Sequence, residues 1–555
     1  MNKPNILVLM TDQQRFDAMS CAGNPKIRTP HLDALAASGI RFSQAVTPTP
    51  VCVAARMSFI TGQRVSRTGY VSNSSLPGYR LELPTLMGSL QEAGYWTQGI
   101  GKMHFRGRHY GLRDLMTMEE CISDRVDDDY LCYLRDQSVR TRFPKGVRDL
   151  LMMQPQTCSI PTEHHMNTWV ADRSVDFLRE HTHHRKTPFF LWSSWISPHP
   201  PFAPCEPYDT MYDPSNMALP PYTDRPIGSL PPGLHAQRAR LDGAHRDPDR
   251  LRRLRALYYG LVSHVDDGVG SIMAELDNLG IADNTVILFV SDHGEMLGDH
   301  GLGQKFSAYE HSVRIPFLLR WPGKTKPGTV SDDLVSLLDF YPTLLDELGL
   351  PYPEQLEPLP GANLVGKEGG GLRNKRKRFV IDFGAGETRW ISVRTKSEKY
   401  AYYAKGGVEE CYDLLSDPWE ESNLADRSPS WAKALKDQAL DWEQQFGTPD
   451  SPDSPDSLVN QAFRSYPVSP VPDETDCRHV TLNEGTWPNR LPAGEIESVE
   501  SFPEAFTRAI SKESLLSPDK LSIDLYKSQI EQTDKRNRGT DSLVRTPWED
   551  TYRNA

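Results

Sequence analysis

The sequence predicts an α/β fold with a large, mostly parallel sheet sandwiched by helices, followed by a smaller C-terminal subdomain of antiparallel strands and a helix. Short apolar runs alternate with amphipathic helix patterns over the first half of the chain, which is typical of a parallel sheet. From Val380 onward, strand patterns follow one another without helices between them, which indicates an antiparallel sheet. A chain of 555 residues is also too long for one hydrophobic core.

Four apolar runs form the predicted parallel sheet. Continuous runs of this length indicate strands that are buried on both faces. They occupy residues 5–10, 96–101, 189–196 and 285–291. Ligands of open α/β sheets bind beyond the carboxyl ends of the strands. The chemically capable residues at these ends are Asp12, Lys102, His199 and Asp292.

Helix start and stop signals lie between the strands. Thr29–Pro30 opens the first helix with an N-cap and a proline at its first position, and Gly39 ends it. A second helix is expected after Thr85. A third is predicted over about residues 254–276, where apolar residues recur at helical spacing.

The C-terminal subdomain is predicted from strand patterns at 379–382, 390–393, 399–403 and 410–414 and a helix over 431–446. A polar, proline-rich linker follows at 448–456. We therefore divide the chain into a large α/β domain (1–375), a small α+β subdomain (376–446) and a linker with an irregular extension (447–555). The extension is poor in apolar periodicity and either wraps over the body or a neighbouring subunit, or is disordered.

The composition excludes several classes of function. A net charge of −12 without a long basic stripe argues against a nucleic-acid partner. No run is apolar enough to span a membrane, and the segment at 6–10 is too short for a signal sequence, so we expect a cytoplasmic protein. Eight scattered cysteines predict reduced thiols and no structural zinc site. We expect a homo-oligomer, a dimer or tetramer, because the long extension needs a surface to cover.

The candidate nucleophile lies in the segment at 50–62. Cys52 follows an extended stretch and opens a helix, and Arg56 lies one turn further along the same face. A helix start and a guanidinium favour an anionic nucleophile and an anionic substrate. The pair by itself also fits a small buried cysteine beside a surface arginine.

A metal site is predicted from two carboxylates at the ends of adjacent strands. Asp12 with Gln13 and Asp292 with His293 would bring two negative charges together in a partly dry cleft, where a cation between them is required. Carboxylate, amide and imidazole ligands suit calcium, manganese or magnesium. Each pair alone also fits a helix cap or a turn.

Five cationic or imidazole side chains accompany these ligands. A lone lysine on a loop is ordinarily exposed, and a lone histidine is ordinarily a satisfied side chain. Together with a metal, however, five such groups predict a site for a small tetrahedral oxyanion. They are Arg56, Lys102, His104, His199 and Lys305.

These residues belong to an ordered set of motifs by which the chain resembles the sulfatases of the alkaline phosphatase superfamily. The set covers about residues 1–345, and residues 412–424 resemble the family's C-terminal subdomain; nothing beyond Phe446 is covered. The resemblance implies an alkaline phosphatase-like fold. The motifs are Asn5–Leu7 to Asp12–Gln13, Thr29–Ala36, Cys52–Arg56 with Thr61–Gly62, Gly101–His104, Ser197–Pro201, Ser291–Glu295 and Tyr309–Pro316.

The resemblance implies a nucleophile made after translation. In sulfatases the cysteine equivalent to Cys52 is oxidised by a maturation enzyme to formylglycine, whose hydrate carries two hydroxyls. One hydroxyl attacks sulfur, and deprotonation of the other ejects sulfate. By the same resemblance, Arg56 and Lys102 hold the diol and His104 takes its second proton. His199 and Lys305 bind the sulfuryl oxygens and assist the leaving group.

The resemblance also implies one divalent metal ion, Ca²⁺ or Mn²⁺, bound by Asp12, Gln13, Asp292, His293 and residue 52. Two departures from the commonest pattern are present. Ala54 replaces the usual proline after the cysteine, and Gln13 and His293 replace the Asp and Asn of many calcium sites. The Gln13 and His293 combination resembles the arylsulfatase and phosphonate monoester hydrolase branch.

The predicted function is therefore a sulfatase that hydrolyses aryl or other small organic sulfate esters. Two alternatives stay open: a phosphonate monoester hydrolase or phosphodiesterase that uses the same site, and a non-catalytic anion-binding protein with an unconverted Cys52. The leaving alcohol is expected to contact loops at 71–79, 103–111 and 201–222, whose shapes do not follow from the sequence.

Overall fold

The computed structural model describes most of the chain up to Gly447. Apart from Gly447, the predicted linker and extension at 447–555 lie outside the described residues, so their course stays a prediction. The described residues are 3–76, 79, 81–105, 107–120, 128–139, 144–146, 152–241, 244–356, 358–366, 369–371 and 376–447.

The described residues form one large sheet of eight strands. They are β1 (Asn5–Asp12), β2 (Ile40–Val46), β3 (Trp96–Gly101), β4 (Asp114–Thr117), β5 (Phe189–Pro198), β6 (Thr285–Ser291), β7 (Phe317–Arg320) and β8 (Thr329–Ser336). Their order across the sheet is β4-β3-β5-β1-β6-β7-β2-β8. β7 runs antiparallel to both of its neighbours, and the other pairs are parallel. The predicted mostly parallel sheet is confirmed.

Strand β1 lies in the middle of this sheet. Ile6 pairs with Phe190 of β5 on one side and with Val286 of β6 on the other. All eight residues of β1 are buried, as the apolar run predicted. Because the three strands are parallel, the residues at their carboxyl ends lie along the same edge.

Helices cover both faces of the sheet. They are α1 (Pro30–Ser38), α2 (Cys52–Thr61), α3 (Val65–Thr68), α4 (Leu86–Glu92), α5 (Asp129–Asp136), α6 (Met166–His184), α7 (His235–Arg240), α8 (Pro248–Asn278), α9 (Glu310–Val313), α10 (Phe340–Leu348) and α11 (Ala432–Phe446). Ile6 and Val8 pack with α2, α4 and α10 in one core. Leu7 packs with α1, α6 and α8 in another. This alternation along β1 produces the predicted sandwich.

The start of α1 differs from the prediction in one respect. Thr29 occupies the N-cap position, but its hydroxyl oxygen accepts from the backbone N–H of Ser20 at 2.9 Å and does not cap the helix. Instead Asp266 of α8 accepts from the backbone N–H groups of His31, at 3.1 Å, and Leu32, at 2.7 Å. A carboxylate from a neighbouring helix therefore satisfies the first turn.

The C-terminal subdomain is the predicted antiparallel sheet with a helix on it. Its strands, in the order β12-β11-β10-β9, are β9 (Phe379–Phe383), β10 (Trp390–Arg394), β11 (Glu398–Tyr403) and β12 (Val408–Asp413). Leu435 and Ala439 of α11 pack on this sheet. Arg394 and Lys399 reach Glu310 of α9 at 2.8 Å each, so a buried ion network joins the subdomain to the large domain.

The six cysteines that the structure describes all have free thiols. No helix among the described residues has the length and apolar character needed to cross a membrane.

Candidate active site

Cys52 is the first residue of α2 and lies at the carboxyl edge of the large sheet. Val51 before it is extended, so the chain turns from a loop directly into the helix. The Cys52 side chain is buried, with its Sγ 3.2 Å from His293 Nε2 and 3.7 Å from Asp12 Oδ1. The predicted helix start after an extended stretch is present, and it places Cys52 beside Asp12 at the end of β1 and His293 after β6.

Four predicted metal ligands converge at this point. Asp12, Cys52, Asp292 and His293 each offer a ligand atom within 4.8 Å of the others, and all four are buried. His293 Nδ1 donates to the carbonyl of Gly294 at 3.1 Å, which leaves Nε2 free to bind a cation.

Gln13 adjoins this cluster. Its side-chain oxygen accepts from Lys305 Nζ at 2.5 Å, and its amide nitrogen donates to Glu295. Its backbone N–H donates to Asp292 Oδ1 at 3.2 Å, and its φ of 68° is in the left-handed region. The structure therefore places Gln13 beside the ligands, while its bond to a metal stays a prediction.

The donor set fits a divalent cation. Burial and the mutual repulsion of Asp12 and Asp292 raise the pKa of Asp12, but Lys102, His199 and His293 bring it below its ordinary value. The pKa of Asp292 is lowered despite burial, through His293, Arg56 and Lys102. Burial lowers the pKa of His293 and keeps its imidazole neutral. Two ionised carboxylates and a neutral imidazole are the ligands that such ions require.

Arg56 and Lys102 neutralise the two carboxylates. Arg56 Nε donates to Asp292 Oδ2 at 2.9 Å, and Nη1 donates to the Lys102 carbonyl at 2.5 Å and to Ser194 Oγ at 3.0 Å. Lys102 Nζ contacts Asp12 Oδ2. Both side chains are fully buried, and the carboxylates raise the pKa of each despite that burial.

The structure does not favour an ionised thiol at Cys52. Burial and the carboxylate of Asp12 raise the pKa of Cys52 to about 12, although Lys102 and Lys305 act in the opposite direction. The guanidinium of Arg56 donates to the carboxylate of Asp292. The unmodified thiol is therefore neutral at ordinary pH.

His104, His199 and Lys305 lie close to the same cluster, and Lys305 contacts the predicted ligand Gln13. His104 offers a ligand atom within 4.8 Å of that of Cys52, and its Nδ1 is buried without a hydrogen bond. Burial and Lys102 lower the pKa of His104 to about 3. Lys305 Nζ lies 2.9 Å from His199 Nε2. All of the predicted site residues thus gather around position 52.

Sequence reasoning missed two adjacent carboxylates after β4. Glu119 accepts from the backbone N–H groups of Met103, at 3.0 Å, and His104, at 2.9 Å, and so holds the left-handed backbone of His104. Glu120 contacts Lys102 Nζ and lies 3.4 Å from His199 Nε2. A pair of glutamates is typical of a solvated surface, so their position in the sequence carries no signal for either contact.

The comparison with known proteins identifies the family. Residues 4–350 match the family model described as Sulfatase, and residues 298–444 match that of the N-sulphoglucosamine sulphohydrolase C-terminal domain. The chain belongs to the sulfatase family. The predicted resemblance is confirmed, and the reaction class of this sulfatase is the hydrolysis of sulfuric esters.

Individual relatives cover most of this sulfatase. It is 32% identical to an arylsulfatase of Clostridium perfringens over 76% of this chain and 90% of that protein. It is 29% identical to a choline-sulfatase of Rhizobium meliloti over 76% of this chain and 83% of that protein. The fold matches the crystal structure of the phosphonate monoester hydrolase of Agrobacterium radiobacter with a TM-score of 0.67 and 24% identity, over 80% and 96% of the two chains.

Proposed function

We propose that this sulfatase hydrolyses aryl or other small organic sulfate esters with a formylglycine made from Cys52 and one divalent metal ion, Ca²⁺ or Mn²⁺. The observation that carries the proposal is the convergence on one buried position. Asp12, Asp292, His293 and His104 each bring a ligand atom within 4.8 Å of that of Cys52, and Lys305 bridges Gln13 and His199 beside them. Such a position can bind an anion and a cation together.

The chemistry of residue 52 favours a converted nucleophile. A buried thiol with a pKa of about 12 is a poor nucleophile at neutral pH. A hydrated aldehyde instead carries two hydroxyls on one carbon. One hydroxyl loses its proton to solvent, and its oxygen forms a bond to sulfur while the bond from sulfur to the alcohol oxygen breaks with its electron pair moving to that oxygen. Deprotonation of the second hydroxyl then cleaves the bond between carbon and the sulfated oxygen, which releases sulfate and restores the aldehyde.

His104 is the proposed base for the second step. Burial lowers the pKa of His104 and keeps its imidazole neutral at neutral pH, which is the protonation state that a base needs. Its buried Nδ1 makes no hydrogen bond, and Glu119 fixes the backbone that carries the ring. Arg56 and Lys102 hold the diol from the side of the carboxylates.

His199 and Lys305 are the proposed leaving-group residues. His199 Nε2 and Lys305 Nζ lie 2.9 Å apart, so both can reach one sulfuryl or ester oxygen. Asp12, Gln13, Asp292, His293 and residue 52 would hold the metal. A divalent cation held there would supply positive charge that favours ionisation of a hydroxyl at residue 52.

Phosphonate monoester or phosphodiester hydrolysis is the second candidate. Gln13 and His293 resemble that branch, and phosphoryl and sulfuryl groups share a shape. The turnover of 4-nitrophenyl sulfate and of phenyl phosphonate by one preparation separates the two. Faster turnover of the sulfate supports the proposal, and faster turnover of the phosphonate overturns the assigned substrate class.

The mass of the active-site peptide tests the nucleophile. Conversion of the thiol to an aldehyde lowers the peptide mass by about 18 Da. Turnover should scale with the converted fraction, and Cys52→Ala should abolish it. Full activity in a preparation with an unmodified thiol would refute the mechanism, and an inactive, unconverted protein that still binds sulfate would favour the anion-binding alternative.

The maturation enzyme is the remaining partner in this proposal. It would have to accept Ala54 in place of the usual proline, and co-expression with and without such an enzyme measures this through the same peptide mass. The cytoplasmic location and the dimeric or tetrameric state belong to the same proposal. Cell fractionation and light scattering test them.

A further inference from the structure

Glu120 is a carboxylate inside the site that the proposed reaction does not use. It follows β4 and its side chain is 10% exposed. One carboxylate oxygen contacts Lys102 Nζ, and the other lies 3.4 Å from His199 Nε2. Its ligand atom is also within 4.8 Å of those of Cys52 and His104. A negative charge next to the binding place of an anionic ester weakens binding, so this position calls for a function.

The hydrogen bonds of His199 define which nitrogen can exchange a proton. Nδ1 lies 2.6 Å from the carbonyl oxygen of Pro200, and a carbonyl oxygen can only accept. Nδ1 therefore carries a hydrogen, and Nε2 is the nitrogen that gains or loses one. Nε2 also faces the side where Cys52 lies, through its contacts with Lys305 and Glu120.

The two groups at Nε2 favour opposite protonation states. The ammonium of Lys305, at 2.9 Å, can only donate and so favours a neutral imidazole. The carboxylate of Glu120 can only accept and so favours a protonated Nε2. Burial holds the pKa of His199 well below its ordinary value, Glu120 and Asp12 raise it, and Lys305 and Lys102 lower it further. Glu120 is the nearest of the two carboxylates that support the acid form.

We propose that Glu120 is a positioning residue that holds on His199 Nε2 the proton delivered to the departing alcohol. The bond from sulfur to the ester oxygen breaks with its electron pair moving to that oxygen, and the proton moves from Nε2 to the same oxygen. His199 is left neutral with Lys305 donating to Nε2, and a proton from the solvent returns to Nε2 before the next turnover. This inference rests on the proposed leaving-group role of His199.

Leaving-group dependence tests the inference, because an alcohol with a low pKa departs without a proton and a simple alcohol does not. The converted, metal-loaded full chain is compared with Glu120→Gln on 4-nitrophenyl sulfate and on an alkyl sulfate. We expect kcat/KM to fall about 10²-fold for the alkyl ester and less than about 3-fold for the nitrophenyl ester. For the alkyl ester, the rate falls with rising pH as His199 loses its proton, and in Glu120→Gln this fall should occur at lower pH. Glu120→Asp, which keeps a carboxylate, should recover most of the loss.

Glu119→Gln is the matched contrast, since Glu119 is the neighbouring carboxylate but binds the His104 backbone. It should slow both substrates by the same factor. Equal losses on both esters in Glu120→Gln, or the same ester preference in Glu119→Gln, would overturn the inference. His199→Ala distinguishes a failure of the positioning role of Glu120 from a failure of the leaving-group role of His199. If it shows the ester preference and Glu120→Gln does not, the inference alone fails; if His199→Ala lacks it, the proposed role of His199 fails with it.

Discussion

At Cys52, burial outweighs the helix start in setting the charge of the sulfur. A helix N-terminus contributes about 0.3–1 kcal/mol, which is less than the 1.4 kcal/mol or so that corresponds to one pKa unit. Full burial of an ionisable group can move its pKa by about 3–5 units. Cys52 is 1% exposed, and its pKa rises to about 12. The sequence predicted correctly that Cys52 opens a helix, but it did not reveal that the side chain is fully buried.

His104 gives the first prediction at the residue scale. In the converted enzyme, His104→Ala removes the base that accepts the second hydroxyl proton, so the sulfated intermediate should accumulate. We expect kcat to fall about 10²–10⁴-fold while the first turnover stays fast. Rapid mixing with 4-nitrophenyl sulfate should give a burst of about one nitrophenol per converted site. A variant that loses the burst together with the steady-state rate would show that His104 acts before sulfur–oxygen cleavage.

At the scale of elements, the contact between α1 and α8 depends on the protonation of Asp266. Burial raises the pKa of Asp266 to about 7, although its bonds from Leu32 and His31 act in the other direction. A carboxyl group with a raised folded-state pKa contributes stability that is present at low pH. That contribution is lost as the pH rises through the folded-state value.

The second prediction follows from this loss of stability as the pH rises. Between pH 5 and 8 the wild-type chain should lose more free energy of unfolding than Asp266→Asn. Because the pKa rises to about 7, about two pH units of the shift fall between pH 5 and 8, which sets an upper limit of about 3 kcal/mol on the difference. Urea unfolding at the two pH values measures it. Asp247 is an exposed cap of α8, so Asp247→Asn should keep the wild-type pH dependence. Parallel pH dependences for wild type and Asp266→Asn would contradict the argument.

The third prediction concerns the ion network between α9 and the C-terminal sheet. Arg394 and Lys399 both bind Glu310 at 2.8 Å, and Lys399 binds Glu420 at 2.6 Å, with all four side chains 1–2% exposed. Removal of one buried partner leaves a charge without compensation. Arg394→Met should therefore lower the free energy of unfolding by about 3–5 kcal/mol.

An exposed pair provides the control for this network. Lys433 and Asp437 form an i, i+4 pair on α11, and their side chains are 81% and 54% exposed. Lys433→Met should change stability by about 0.5 kcal/mol or less. Denaturant unfolding of both variants makes the comparison. A loss for Arg394→Met as small as that for Lys433→Met would mean that the network does not hold the subdomain.

At the scale of the whole molecule, the sheet edge made the site predictable. The rule that ligands bind beyond parallel strand ends was enough to bring Asp12, Lys102, His199 and Asp292 together from the sequence. Strands β2, β4, β7 and β8 were not predicted, because β4 and β7 have four residues each and β2 and β8 are partly exposed. The antiparallel insertion of β7 depends on long-range pairing, which leaves no local pattern.

The site residues that could be predicted follow long buried strands, whereas the missed ones follow a short strand. Asp12 and Asp292 follow buried strands whose order is set by the fold, so their meeting could be inferred. Glu119 and Glu120 follow the short strand β4, and their contacts with the His104 backbone and His199 depend on loop geometry. The shapes of the loops expected to contact the leaving alcohol could not be predicted either, because they also depend on long-range contacts. Within them, Asn73 accepts from the backbone N–H of Val53 in the first turn of α2 at 3.2 Å.

Metal binding should stabilise the whole fold, because the ligands come from β1 near the N-terminus and from the segment after β6. In the metal-free protein, the buried carboxylates of Asp292 and Asp12 are compensated only by their ion pairs with Arg56 and Lys102. Ca²⁺ or Mn²⁺ at a hundredfold excess over its Kd should add about 3 kcal/mol, measured as a rise in Tm after addition to chelator-treated protein. Asp292→Asn should lose most of this rise. Asp17→Asn should keep it, since Asp17 pairs with Arg15 at 2.7 Å and lies outside the ligand set. A Tm that does not respond to either ion in the wild-type chain would refute a metal site at this edge of the sheet.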